Sequence, residues 1–284
     1  MAQEPDNTNL EEYIDLAYLA VEEIEVDSLQ RLNLIVPKDI ENPPLLVWIG
    51  GGAWSFVNRH QEMDLARKIA QNGIAVASVG HRLSAATWQD PKRDSGVKHP
   101  AHANDVARAS KWLIEHAADY GYDPNNVFIG GFSSGAYEAS IITLDPSITA
   151  AVGLKISDFR GVIPVSGAFD IPDYYEILKN SERPELADLH VKAVFGSTEE
   201  DFNKASGTTY LKELQIPMLL IADGALFKYT KIFEDKIREE TEYTDFDVIN
   251  VHHLGHGPLW RNLSHEENSI YRDMMVAFIK KHMG

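Results

Sequence analysis

The chain has 284 residues, of which 44% are apolar and 24% are charged, as is typical of a globular protein with a sizeable core. Its 43 aspartates and glutamates outnumber its 26 lysines and arginines, and the net charge of −17 argues against nucleic acid and anionic membrane surfaces as partners. The absence of cysteine excludes disulfides and thiolate metal sites.

The N-terminal region has neither the basic stretch nor the apolar stretch of a signal peptide. No apolar run in the sequence reaches the roughly 18 residues of a membrane span. We therefore expect a cytoplasmic protein without membrane attachment, or a secreted one if a signal peptide has been removed. The sequence makes no prediction of the oligomeric state.

The first elements are predicted to form an edge of a sheet. Residues 1–16 are acidic and polar, which favours a surface segment. Residues 21–26 and 32–36 alternate apolar with polar side chains, as half-buried strands do, and Asp27-Ser28 can turn the chain between them. This pattern predicts an antiparallel hairpin.

Buried strands and covering helices follow in alternation. Residues 45–49 form a continuous apolar run that ends in Gly50-Gly51-Gly52, which predicts a central strand opening into a loop. The periodicity then predicts a helix over 59–72, a strand over 74–79 and a helix from Pro100 to about residue 120.

The sequence G-F-S-S-G occupies residues 131–135. It lies at the junction between an apolar run suited to a strand, which begins at about residue 126, and residues suited to a helix. This is the spacing of a nucleophile elbow. The backbone of such a turn passes close to its neighbours, so Gly131 and Gly135 are expected where a side chain would clash. Ser133, held in a strained turn with its hydroxyl exposed, is the candidate nucleophile.

The second half of the chain continues the same rhythm. Ser264 and Glu267 have the spacing of a capping box, which predicts a last helix through Lys281 with Ile270, Met274 and Phe278 on its apolar stripe. The elements before it are predicted as strands over 161–165, 217–221 and 246–251, a helix over 229–240, and a small insertion over about 172–214. Alternating strands and helices indicate a mostly parallel sheet with helices on both faces, in a single domain over 1–284.

In such a sheet, ligands bind beyond the carboxyl ends of the strands. Hydrolysis by a serine requires a base, an acid that orients the base, and donors for the oxyanion. His256 follows the last predicted strand and the glycines at 50–52 follow a central strand, so both fall at this edge of the sheet.

These segments together resemble the α/β-hydrolase superfamily, and within it the HGG(G/A)W esterases related to hormone-sensitive lipase, bacterial carbohydrate esterases and kynurenine formamidase. The resemblance covers about residues 30–265. It implies an α/β-hydrolase fold with a mostly parallel central sheet of about eight strands and a small cap-like insertion at about 172–214. The matching segments are VWIGGGAW, VASVGHRLS, HPAHANDVARASKWLIEHAADYGYDPNNVFIGGFSSGAYEAS, IPVSGAFD, IPMLLIADG and HHLGHGPLW.

The resemblance also implies roles for particular residues. Ser133 matches the nucleophile and His256 the general base. The backbone amides of Gly51, Gly52 and Ser134 match the donors to the oxyanion. No cofactor and no metal are expected, because this chemistry needs neither.

Two positions depart from the family's pattern. The loop usually begins with a histidine, where this chain has Gly50, so an internal brace of the loop is missing. The usual acid position holds Leu226. Asp223, at the end of the preceding strand, is the first substitute, with capping of the following helix as its alternative role. Asp170 is the second substitute, with a structural role as its alternative.

The sequence leads to a serine hydrolase that acts on carboxylic esters with small or medium acyl or aryl groups. Trp54, Trp88 and Trp260 flank the site and are predicted to line its pocket or to serve ordinary packing. An arylformamidase with the same chemistry is the near alternative. A catalytically silent binding protein of the same fold is the alternative from another class.

Overall fold

Eight strands form one sheet in the part of the chain that the structure, a computed structural model, describes, namely residues 9–19 and 29–284. Their order in the sheet is β1-β2-β4-β3-β5-β6-β7-β8, and the pairs on either side of β2 are antiparallel whereas all other pairs are parallel. The predicted mostly parallel sheet is therefore confirmed. The strands are β1 (Leu10–Ala17), β2 (Arg31–Pro37), β3 (Leu45–Ile49), β4 (Ala75–Val79), β5 (Val127–Phe132), β6 (Gly161–Val165), β7 (Met218–Asp223) and β8 (Phe246–Val251).

Helices cover both faces of this sheet. The α-helices are α1 (Met63–Ala70), α2 (Ala101–Glu115), α3 (Ala117–Tyr120), α4 (Ser134–Leu144), α5 (Pro146–Ala151), α6 (Ile171–Lys179), α7 (Lys192–Phe195), α8 (Glu199–Lys204), α9 (Phe227–Glu240), α10 (His256–Ser264) and α11 (Ile270–His282). The side chains of α1, α10 and α11 pack on one face, and those of α2, α4 and α9 on the other. None of the helices in the described ranges has the length and apolar character needed to cross a membrane.

The central strands are buried on both faces because each strand residue meets one helical layer or the other. On β3, Val47 faces the α2 and α4 layer, whereas Leu46 and Trp48 face the α1 layer. Val47 pairs with Ile129 of β5, and this register continues to the ends of the strands. Parallel pairing brings the carboxyl ends of β3, β5, β6, β7 and β8 to one edge of the sheet, where the candidate residues follow.

The N-terminal edge differs from the prediction. Residues 10–17, expected as part of a surface segment, form β1, which pairs with β2. The predicted strand over 21–26 and its turn at Asp27-Ser28 lie outside the described residues. At this edge of the described sheet, β2 therefore pairs with β1, and its other antiparallel neighbour is β4. The burial of β1 is partial, because one face of this edge strand is exposed to solvent.

The C-terminal region also differs from the prediction. Ser264 ends α10 rather than beginning the last helix, and the N-cap of α11 is Ser269, whose side chain accepts a hydrogen bond from the amide of Arg272. The register of the helix is therefore shifted. Ile270 is 61% exposed and only Phe278 of the predicted stripe is buried.

The segment between β6 and β7 forms short helices at one end of the sheet. It contains α6, α7 and α8, the π-helix Ala187–Val191 and the 3₁₀ helix Gly207–Glu213. This is the region that the sequence indicates as a small insertion. Contacts of Gly207–Glu213 with α4 and α9 join it to the layer above the sheet.

Candidate active site

Ser133 lies in the tight turn between β5 and α4, with φ of 57° and ψ of −117°. Its amide donates a hydrogen bond to the carbonyl of Val165 at the end of β6, with an N···O distance of 2.8 Å. A Cβ at Gly131 would lie 2.4 Å from the backbone of Gly135, and a Cβ at Gly135 would lie 2.1 Å from the carbonyl oxygen of Ile49. The sharp turn therefore requires glycine at both positions.

Residues 50–54, here called the glycine loop, leave the end of β3 in an unusual conformation. Three successive residues have positive φ: 147° at Gly52, 48° at Ala53 and 56° at Trp54. The carbonyl of Gly52 accepts hydrogen bonds from the amides of Ser55 and Phe56, at 3.0 and 2.8 Å. These bonds stabilise a conformation that residues with side chains otherwise avoid.

The glycine loop lies against the nucleophile elbow. A Cβ at Gly51 would lie 3.2 Å from the Cβ of Ser133, so the loop backbone borders the serine side chain. Among the hydrogen bonds of the described ranges, none uses the amides of Gly51, Gly52 or Ser134 as donors. Ser134 is the first residue of α4, where amides lack partners within the helix. Free amides thus lie near the serine hydroxyl.

His256 and Asp223 meet beside the elbow, although 33 residues separate them in the chain. His256 begins α10 and Asp223 ends β7, and the distance from Nδ1 to Oδ2 is 2.6 Å. The imidazole stacks on the ring of Phe132, with centroids 4.5 Å apart. No hydrogen bond joins Ser133 to His256 in the described residues, and such contacts commonly tighten only when a substrate binds.

The Asp223 carboxylate is fully buried and accepts several hydrogen bonds. Its Oδ1 accepts the amides of Ala225 and Leu226, both at 2.7 Å, while Oδ2 accepts from His256. Burial alone would raise the pKa of Asp223, but the hydrogen bonds from His256 and from the Leu226 amide outweigh it, and the pKa lies below its usual value. An ionised carboxylate on Nδ1 fixes the tautomer whose Nε2 can accept a proton.

The structure separates the two carboxylates considered from the sequence. Asp170 caps α6 through the amide of Asp173, at 2.9 Å, and its Oδ2 accepts from Thr208 and Lys236, both at 2.6 Å. These contacts give Asp170 a structural place away from the imidazole. Asp223, in contrast, contacts His256 through Oδ2 and the turn before α9 through Oδ1.

A cavity of about 60 Å³ lies beside Ser133. Tyr174 of α6 and Tyr229 of α9 meet edge to face above it, with ring centroids 5.3 Å apart. The hydroxyl of Tyr174 lies 3.1 Å from Nε2 of His190, which holds the ring in place. The cavity is lined by Ala53, Trp54, Ser133, Ser134, Ser166, Ala168, Tyr174, Leu226 and Tyr229.

The three tryptophans selected from the sequence occupy different places. Trp54 lines the cavity and is 4% exposed. Trp88 packs against His190, 5.5 Å between ring centroids, and Trp260 lies 5.5 Å from Phe132. Neither Trp88 nor Trp260 contributes to the lining of the cavity.

Sequence reasoning missed Tyr174, Tyr229 and the stacking role of Phe132. The two tyrosines lie in or after the insertion, where no periodic pattern marks an inward face. Phe132 is the first of the two residues that the pattern G-x-S-x-G leaves open, and an aromatic residue there was the available signal. Within residues 9–19 and 29–284, no group of three or more histidines and carboxylates is arranged to hold a metal ion.

Several proteins that this chain resembles in sequence or in structure are named as esterases. The family model described as BD-FAE matches residues 32–225. Gut esterase 1 of Caenorhabditis elegans is 32% identical over 136 residues, which are 46% of this chain and 24% of that protein. Esterase LipQ of Mycobacterium tuberculosis is 27% identical over 183 residues, which are 63% of this chain and 41% of that protein. The chain thus spans less than half the length of these relatives.

Solved structures share the fold at lower identity. Esterase B from Lactobacillus rhamnosis superposes with a TM-score of 0.76 at 21% identity, covering 98% of this chain and 87% of that one. A fungal esterase from Rhizomucor miehei gives a TM-score of 0.74 at 16% identity, covering 96% and 84%. The α/β-hydrolase fold expected from the sequence is therefore confirmed.

Proposed function

Since the chain belongs to the BD-FAE family and has an α/β-hydrolase fold, we propose that it is a serine hydrolase of carboxylic esters. Ser133 is the nucleophile, His256 the general base and Asp223 the acid that orients the base. The amides of Gly51, Gly52 and Ser134 are the donors to the oxyanion. The protein works on a small-molecule ester without a cofactor.

The reaction follows from the roles of these groups. Ser133 Oγ attacks the ester carbonyl while Nε2 of His256 takes its proton, and the carbonyl oxygen becomes an oxyanion held by the three amides. Collapse of this intermediate breaks the bond to the alcohol, which leaves with the proton from His256. Water, deprotonated by the same imidazole, then attacks the acyl-enzyme and releases the carboxylic acid and Ser133.

The observation that carries the proposal is the buried Asp223–His256 pair beside the elbow. A carboxylate with a lowered pKa at 2.6 Å from Nδ1 stabilises the imidazolium that forms as Ser133 loses its proton. The case for a catalytically silent binding protein rests on the missing histidine at position 50 and on Leu226 at the usual acid position. The same contact argues against the second point, because Asp223 supplies a carboxylate to His256.

The cavity supports short acyl groups. A volume of about 60 Å³ beside Ser133 is small compared with ligand pockets of roughly 300 Å³ and more, and bulky side chains close it. We therefore assign acetyl and other short esters as the substrates. The alcohol part of the ester would lie outside this cavity. The formamide of an arylformamidase substrate would also fit it.

Steady-state kinetics on p-nitrophenyl acetate test the proposal with two serine variants. We expect Ser133→Ala to lower kcat by about 10⁴-fold or more, because the acyl-enzyme cannot form. Ser140→Ala is the matched control, since this serine lies on α4 and its buried hydroxyl has no hydrogen-bond partner among the described residues. Retention of turnover in Ser133→Ala, or an equal loss in both variants, contradicts the proposal.

A further inference from the structure

A buried carboxyl group lies beside Gly50, at the start of the glycine loop. Glu62 ends the 3₁₀ helix Arg59–Glu62 and directly precedes α1, yet it is only 3% exposed. Glu62 is the N-cap residue of α1, but its side chain makes no capping hydrogen bond to the helix. The side chain points into the core instead.

Two contacts fix this carboxyl group. The indole N–H of Trp48 donates a hydrogen bond to Oε2, with an Nε1···O distance of 2.8 Å. Oε1 lies 2.4 Å from the point where a Cβ on Gly50 would stand, and Cδ lies 2.6 Å from it. The carboxyl therefore rests on the backbone of Gly50, and only glycine leaves room for it.

Gly50 is the residue from which the strained part of the glycine loop departs. Ala53 and Trp54 have positive φ without being glycine, a strained conformation that persists only where the surroundings fix it. Phe56 and Ser55 fix the far end through the carbonyl of Gly52. At the near end, the Glu62 carboxyl fills the space beside Gly50 that a larger side chain would otherwise occupy.

The protonation state of the Glu62 carboxyl group is compatible with a structural contact beside the glycine loop. Burial raises the pKa of Glu62 to about 8, even though the hydrogen bond from Trp48 lowers it. The group is thus largely a neutral carboxylic acid at pH 7. A neutral group beside the loop adds no negative charge that would oppose an oxyanion at the amides of Gly51 and Gly52.

We propose that Glu62 is a positioning residue for the oxyanion amides, holding Gly50 and through it the amides of Gly51 and Gly52. This inference rests on the proposed function, because it concerns the same reaction. Glu62 compensates for the absence of a side chain at position 50. Gly50 and Glu62 share one space and act as a pair.

Kinetics of Glu62 variants on p-nitrophenyl acetate test this role. Glu62→Gln keeps the shape and an acceptor for Trp48, so we expect kcat within about threefold of the wild type. Glu62→Ala frees the loop, and we expect kcat to fall about 10- to 100-fold with KM changed less than threefold, since the amides act mainly in the transition state. Leu65→Ala, a buried truncation on α1, is the control for general destabilisation and should leave kcat within threefold.

A double-mutant cycle tests the contact independently of activity. Gly50→Ala alone should clash with Oε1, whereas in the Glu62→Ala background the clash is gone. The losses in unfolding free energy of the two single variants should therefore sum to more than the loss of the double variant. Additive losses overturn the inference, as does an unchanged kcat in Glu62→Ala or an equal kcat loss in Leu65→Ala. If the wild type hydrolyses no ester, the proposed function fails, and the cycle still decides whether Glu62 holds Gly50.

Discussion

At the residue scale, Asp223 occupies the place beside His256 that the resemblance to the HGG(G/A)W esterases gives to the residue at position 226. Leu226 occupies that position, and its amide donates to Asp223 while its side chain lines the cavity. The strand end itself thus supplies the carboxylate. The sequence indicated Asp223 as the first substitute because it lies at the carboxyl end of β7, but it could not exclude Asp170, which follows the neighbouring strand β6.

We expect Asp223→Asn to lower kcat on p-nitrophenyl acetate by about 10⁴-fold, because the imidazole loses both its tautomer and its counter-charge. Two controls sharpen the measurement. Asp170→Asn should retain kcat within a few-fold and lower the melting temperature, since Asp170 binds Lys236 and Thr208. Leu226→Asp should bring no gain. A large kcat loss in Asp170→Asn, or a rate increase in Leu226→Asp, contradicts the assignment of Asp223.

At the element scale, the position of the site was predictable and its walls were not. Apolar runs at β3, β5 and β6 are long enough to identify buried parallel strands, and their carboxyl ends must meet at one edge. The elements whose prediction was wrong are amphipathic. Because β1 is an edge strand, residues 10–17 are more polar than a pattern typical of a strand. The strand also depends on pairing with β2, which the local sequence does not reveal.

The C-terminal helices illustrate a second reason. Ser264 and Ser269 both precede helix-forming residues, and a capping pattern alone does not choose between them. Tertiary packing decides, because α11 buries Met275, Phe278 and Ile279 against the sheet. The sequence pattern did not predict the short helix α10, which begins at His256.

Part of the cavity wall comes from α6, α9 and the turn before α9, and under the proposed function these side chains limit the acyl group that fits. We expect Leu226→Ala to raise kcat/KM for p-nitrophenyl hexanoate relative to acetate by about tenfold, since each methylene admitted to an apolar pocket is worth 1–3 kcal/mol. The measurement is the ratio of kcat/KM for the two esters in variant and wild type. An unchanged ratio, or a wild type that prefers hexanoate, refutes the assignment of this cavity to the acyl group.

At the scale of the whole molecule, two buried acids make stability depend on pH. Burial raises the pKa of Glu62 and of Glu138 to about 8, although the indoles of Trp48 and Trp54 lower them. Between the ordinary pKa of 4.5 and about 8, the folded protein keeps protons that the unfolded chain releases. The contribution of these two carboxyls to the free energy of unfolding therefore falls as pH rises through this window, by about 1.4 kcal/mol per pH unit for each group, and levels off above it.

The variant that combines Glu62→Gln and Glu138→Gln should lose this dependence. We expect its free energy of unfolding to gain on the wild type steadily from pH 5 to pH 8, because an amide has no proton to release. Urea unfolding at pH 5, 6.5 and 8 measures the difference. If the free energy of unfolding varies with pH in the same way for the two proteins, these carboxyls do not have raised pKa values in the folded state.

Covalent labelling tests the central claim, that this fold works as a serine hydrolase through Ser133. The folded protein is treated with a fluorophosphonate probe and the modified residue is located by peptide mass spectrometry. We predict one adduct on Ser133, formed far more slowly in Asp223→Asn and absent in Ser133→Ala. No adduct on the folded wild type, or an adduct that persists in Ser133→Ala, contradicts the account.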